Sequence, residues 1–148
     1  MSCLGLLLAG CGGPLEVDAP ELSGSAASTC DELVGALPET VDDVERREVE
    51  PAGAPAAAWG EPAIVLRCGV EMPPAFDDFS TCQETNGVGW YIPDEQMTGS
   101  PTEITMTTIG RDVNIEVALP EEHFPPANAM VDLADAIKQT TEEIDPCV

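Results

Sequence analysis

The chain has 148 residues, of which 28 are Asp or Glu and 5 are Lys or Arg, giving a formal charge of −23. This length suits one domain with a modest core. The 43% apolar content and mean hydropathy near zero are too high for a wholly disordered chain. The few cations, of which only Arg46 and Arg47 adjoin, build no phosphate-binding surface. That excludes nucleic acid as a partner and an anionic membrane as an electrostatic target. No apolar run reaches the roughly 18 residues that span a bilayer.

The first element is an apolar stretch over residues 4–9, closed by Leu8-Ala9-Gly10-Cys11. An apolar residue, two small residues and a Cys form a bacterial lipobox. Small residues let a membrane peptidase cut beside the Cys, and the Cys thiol takes a diacylglycerol thioether. Each buried methylene of the lipid contributes about 0.8 kcal/mol to anchoring. Residues 1–10 are therefore expected to be a lipoprotein signal segment. Cys11 is expected to be the lipidated residue, holding the protein to the lipid bilayer on the extracytoplasmic face of the cell membrane. No Lys or Arg precedes Cys11, and the apolar run falls short of the about 7–15 residues of a signal core, so the natural start is expected upstream of Met1. From Gly12 to Ser28 the chain is rich in Gly, Pro, Ser and Ala without a helical or strand period. Residues 11–28 read as the lipidated Cys and a flexible tether, ahead of a single domain over 29–148.

Thr29-Cys30-Asp31-Glu32 has the form of a capping box, with Leu33, Val34 and Leu37 as the apolar stripe of a first helix and Pro38 as its stop. Residues 44–49 suit a charged edge strand, and the Pro- and Ala-rich 51–58 suit a loop. A strand follows over 63–70, then a Pro-rich loop and a hairpin around Asn86-Gly87. Residues 102–109 are strand-like. Val113, Ile115, Val117 and Leu119 alternate with polar or small residues, as in a half-buried strand, and Gly110-Arg111-Asp112 joins the two. A closing helix over 128–143 carries Met130, Leu133, Ala134 and Ile137 on one stripe. The expected fold is α+β: an antiparallel sheet of about four to five strands with an N-terminal and a C-terminal helix on one face, stapled by disulfides.

Six cysteines are present. Cys3 leaves with the signal and Cys11 is acylated, so Cys30, Cys68, Cys82 and Cys147 remain, with three connectivities possible. No Cys-x-x-Cys occurs and His123 is the sole histidine, which argues against a redox motif and a structural zinc site. No metal and no cofactor is expected. Alternation places Ile64, Leu66, Cys68 and Val70 on one face, so Cys68 points into the core, within reach of a packed helix. With Asn86-Gly87 as a type I′ turn, Thr85 pairs with Val88, Gln83 with Trp90 and Cys82 with Tyr91. Cys82 then faces away from Val88, Trp90 and Ile92, an awkward direction for a bond to Cys68. The favoured pairing is Cys30–Cys68 with Cys82–Cys147.

Several blocks follow one another in a recognisable order: Cys30-Asp31-Glu32-Leu33 through Leu37-Pro38, Arg46-Arg47, Ala58-Trp59-Gly60-Glu61-Pro62-Ala63-Ile64, Leu66-Arg67-Cys68-Gly69-Val70 and Asn86-Gly87-Val88-Gly89-Trp90. In this the chain resembles, over most of residues 29–143, the actinobacterial family of secreted proteins and lipoproteins called domain of unknown function thirty-five-fifteen. The resemblance implies an exported envelope protein in which Cys30 and Cys68 belong to the common framework and Cys82 and Cys147 form an added pair. It assigns no activity.

No catalytic residue is assigned. His123 lies beside Glu121 and Glu122, as a surface histidine would, and no Gly-x-Ser-x-Gly nucleophile elbow occurs. With 28 acids, neighbours such as Asp42-Asp43, Asp77-Asp78, Glu121-Glu122 and Glu142-Glu143 arise by abundance and mark no glycosidase pair or calcium loop. Arg67 faces away from Cys68. It either pairs with a carboxylate or, with Trp59 as an aromatic wall, offers its guanidinium fork to an anionic ligand. Trp90 belongs to the core. The expected function is a non-enzymatic binding or scaffolding module for an unknown envelope protein or wall component. The alternatives are a cell-wall-acting hydrolase, or a secreted inhibitor or small-ligand carrier. The acids are spread along the chain rather than gathered in a tail, which suits a solvated coat for a high-salt habitat.

Overall fold

In the computed structural model, residues 13–147 are described; the signal segment and the lipidation candidate Cys11 lie outside the described residues. The chain forms β1 (Leu15–Glu16), α1 (Gly24–Ala36), β2 (Thr40–Val41), β3 (Val44–Arg47), β4 (Val49–Glu50), β5 (Ala56–Trp59) and β6 (Ile64–Cys68). It continues through β7 (Cys82–Thr85), β8 (Val88–Tyr91), β9 (Ile104–Ile109), β10 (Ile115–Leu119) and α2 (Ala127–Thr140), with 3₁₀ turns at Asp94–Gln96 and Glu121–His123. Eight strands make one sheet in the order β2-β3-β5-β6-β10-β9-β8-β7, and every neighbouring pair is antiparallel. β1 and β4 form a separate parallel pair.

Period-two alternation selects the face that is buried. Ile64, Leu66 and Cys68 of β6, Ile115, Val117 and Leu119 of β10, and Ile104 and Met106 of β9 join one core with Cys30 and Leu33 of α1 and Met130, Leu133, Ala134 and Ile137 of α2. Two disulfides, Cys30–Cys68 and Cys82–Cys147, close this α+β arrangement, with Cα separations of 5.7 and 6.0 Å. The hairpin has the register read from its turn: Cys82 opposite Tyr91, Gln83 opposite Trp90 and Thr85 opposite Val88. Asn86 and Gly87 both take positive φ, 49° and 84°, as a type I′ turn requires.

Three expectations need correction. The sheet has eight strands rather than four to five. One that was missed, β5, lies in the stretch expected to be a loop, because alanine has little β propensity of its own. Here Ala56, Ala57, Ala58 and Trp59 are all buried between neighbours. The first helix starts at Gly24, with Ser23 as its N-cap, rather than at Thr29. Ala26, Ala27 and Ser28 extend it by a turn, and Thr29 lies inside it.

Finally, residues 13–28 are not a free tether. Leu15 N–H donates to Glu48 O and Val17 N–H to Glu50 O, each at 2.9 Å. Leu22 packs against the core and onto Gly69. Composition shows none of this, because the segment is held mainly through main-chain groups. We call residues 13–22 the strap.

Candidate functional site

The sheet separates the two residues read as a ligand pair. Trp59 stands opposite Ile64 and is fully buried on the helix side, where its indole Nε1–H donates to Pro38 O at 3.0 Å. Arg67 stands opposite Ala56 on the other face. The aromatic-wall site is therefore not formed. The alternation of β6 alone gives the direction of Arg67; that of Trp59 depends on the pairing of β5, whose alanines carry no strand rhythm.

On its own face Arg67 belongs to a cross-strand row with Glu116, Thr107 and Tyr91, ending at Cys82. Its Nε and Nη2 donate to Glu116 Oε1 at 3.0 and 2.7 Å, and Nη1 donates to Asp18 O at 2.7 Å. A recess of about 500 Å³ lies beside it, bounded by the strap and by Gly69, Val70 and Glu71. Arg67 is the sole cation in that lining, facing Asp18, Glu21, Glu71 and Glu116. The local field is negative, so the recess suits a cationic group and repels an anionic ligand.

At the far end of the row Tyr91 is buried, and the edge of Phe76 packs on its ring at a centroid distance of 5.4 Å. Burial pushes the Tyr91 hydroxyl above its ordinary pKa, and the carboxylates of Glu95, Asp94 and Asp77 add to the rise.

The other arginines are occupied in the same way as Arg67. Arg46 donates from Nη2 to Val34 O at 2.9 Å and from Nη1 to Leu37 O at 3.2 Å, satisfying carbonyls at the end of α1. Arg47 donates to Gly60 O, Glu61 Oε2 and Gly13 O. Arg111, 7% exposed, donates to Thr141 O at 3.2 Å and to Gly87 O at 2.9 Å. Each guanidinium thus donates to at least one main-chain carbonyl outside its own strand or turn.

Reading the sequence missed one polar cluster. Asp42 and Asp43 take positive φ in the turn between β2 and β3. Asp42 Oδ2 lies 2.7 Å from His123 Nδ1, and Asp42 Oδ1 accepts from Asn128 Nδ2 at 3.0 Å. Asp42 N–H donates to Asp132 Oδ2 at 2.8 Å. Val41-Asp42-Asp43-Val44 could have signalled a tight hairpin, but no local pattern joins Asp42 to a histidine 81 residues away. The dyad holds the imidazole at Nδ1, and Nε2 has no hydrogen-bond partner among the described residues. Among the described residues, Asp42 is the only side chain hydrogen-bonded to the ring; a serine-type triad also needs a hydroxyl there.

Among the described residues, no three His, Cys, Asp or Glu side chains converge as metal ligands, and no helix is long and apolar enough to cross a membrane. No curated protein and no solved structure matches the chain. The model of the family described as protein of unknown function (DUF3515) matches residues 13–146. That span takes in the strap from its first held residue and runs past Thr141, the C-cap of α2. The chain belongs to this family of proteins of unknown function, DUF3515.

Proposed function

We propose that the protein is a lipid-anchored, non-enzymatic module on the extracytoplasmic face of the cell membrane that binds or scaffolds another envelope protein or a wall component. The observation that carries this reading is the pairing of all four cysteines downstream of the lipobox, Cys30 with Cys68 and Cys82 with Cys147. Such bonds persist in oxidising, exported compartments. The lipobox ending at Cys11 supplies the anchor. The engagement of every arginine within the fold supports a structural rather than a catalytic use of charge.

The test is metabolic labelling of the full chain in its host with an alkyne fatty acid, followed by envelope cross-linking. Labelling that disappears in Cys11→Ser, together with one reproducible cross-linked envelope partner, is the expected result. An unlabelled protein, or one that captures no partner, overturns the proposal.

The Asp42–His123 dyad favours one second reading, a wall-acting hydrolase using Nε2 as a general base. If purified protein releases fragments from cell walls and His123→Ala abolishes that release, the hydrolase reading replaces the binding one.

A further inference from the structure

We infer that the folded domain sits directly on the bilayer with a fixed orientation, its Gly60-Glu61 end toward the lipid and its Asn86-Gly87 end away from it. This rests on the lipid-anchored reading of Cys11 and adds to it which surface meets the membrane.

The strap is held along its length. Gly13 O accepts from Arg47 Nη2 at 3.3 Å, and Leu15 and Val17 bond to the main chain beside β4. Asp18 O accepts from Arg67, and Leu22 packs on Gly69. Only Gly12 separates Cys11 from the first held residue. Two residue steps span at most about 7 Å, comparable to the roughly 5–8 Å headgroup layer of one leaflet. A flexible tether over 11–28 would instead give a root-mean-square reach of roughly 20–25 Å and leave the domain free to turn. The short leash removes that freedom.

Strand register identifies the end beside the leash. The same Arg47 that holds Gly13 also holds Gly60 O and Glu61, in the turn after β5. Trp59 pairs with Ile64, Val65 with Ala118, and Ile104 with Leu119. Glu61, Glu103 and the Glu121–His123 turn therefore share this end. At the other end Cys68 pairs with Ile115 and Gly89 with Ile109, so the Asn86-Gly87 and Gly110-Asp112 turns lie there. β9, with 6 residues, sets the two ends about 20 Å apart.

The lipid-facing end carries Glu61, Glu103, Glu121 and Glu122, with Arg47 already paired to Glu61. Contact with anionic headgroups is then enforced by the covalent anchor against repulsion. That repulsion acts over a Debye length of about 10 Å at 0.1 M salt and shrinks as salt rises.

The test uses full-length lipidated protein in vesicles of equal phosphatidylcholine and phosphatidylglycerol doped with headgroup-nitroxide lipid. A fluorophore is attached through an azide-bearing amino acid at Glu61 or at Asn86, both exposed, and mass spectrometry reads Cys11. At about 0.15 M salt, quenching is expected to be several-fold stronger at 61 than at 86. Inserting about twenty Gly/Ser residues between Gly12 and Gly13 is expected to remove the contrast. Equal quenching with diacylglycerol present on Cys11 overturns the orientation and leaves the anchor intact. A contrast that survives the insertion overturns the short-leash account. A free Cys11 thiol overturns the anchored reading and this inference with it.

Discussion

At the residue scale, scarcity of positive charge makes each arginine consequential. Removing Arg111 leaves Thr141 O and Gly87 O without their donor in a buried site. Charged hydrogen bonds of this kind contribute about 1.5–3 kcal/mol, so Arg111→Ala is expected to lose about 2–3 kcal/mol in urea unfolding. Arg111→Lys should recover little, because one ammonium lacks the planar fork that reaches both carbonyls. Arg47 is different: its partner Glu61 is 82% exposed, and Glu61→Gln should cost less than about 1 kcal/mol.

Tyr91 is the only tyrosine, so ultraviolet absorbance of the phenolate follows this group alone. Its midpoint is expected above the ordinary value of 10.0, because burial and the carboxylates of Glu95, Asp94 and Asp77 disfavour the phenolate. Glu95→Gln with Asp94→Asn should lower the midpoint, and added salt should do the same. The sign for stability follows. Below pH 10 the tyrosine is neutral folded or unfolded, and its contribution is fully present. Above pH 10 the unfolded chain ionises first, so stability falls as pH rises toward the folded midpoint. A native midpoint at or below 10 contradicts the burial assigned to this row.

At the element scale, legibility followed periodicity. The β6 and β10 alternations, the Asn86-Gly87 register and the α2 stripe all carry their positions in local sequence, and each matches the structure. The strap and β5 do not: main-chain pairing and close alanine packing leave no apolar rhythm to read. The candidate site divides in the same way. The outward direction of Arg67 follows from its neighbours in β6, whereas its partner Glu116 lies 49 residues away. The Asp42–His123 contact is longer still in sequence and was invisible for that reason.

Disulfides follow from the elements they join. Loop entropy alone assigns the bonds, with sequence separations of 38 and 65, nearly equal stabilisation of about 4 kcal/mol. Packing therefore separates them: Cys30 and Cys68 are fully buried in the core, while Cys82–Cys147 lies over Gly89. A Cβ on Gly89 would meet both of its sulfurs, that of Cys82 at 2.9 Å. Gly89→Ala is expected to suppress the Cys82–Cys147 peptide in a non-reducing map while leaving Cys30–Cys68 intact. A map joining Cys68 to Cys82 in the unaltered protein contradicts both the register and the pairing.

At the scale of the whole molecule, the charge of −23 acts in two opposed ways. Screening by salt weakens attractive pairs such as Arg47–Glu61 and Lys138–Asp135, at 2.5 and 3.4 Å, and it also weakens repulsion among carboxylates. Numbers decide the sign: 28 acids face 5 bases, so repulsive pairs far outnumber attractive ones. Several of the attractive contacts are short and partly buried, where salt acts least. Net screening should therefore stabilise the fold. Raising salt from about 0.01 to 1 M shortens the Debye length from roughly 30 to 3 Å. If that relieves about 2–3 kcal/mol of repulsion, Tm rises by roughly 5–10 °C for a domain of this size. Sodium and potassium chloride should act alike at equal ionic strength, because screening does not distinguish the cations. A Tm indifferent to ionic strength, or one that falls, would show that the acids are balanced locally and that the coat is not adapted to salt.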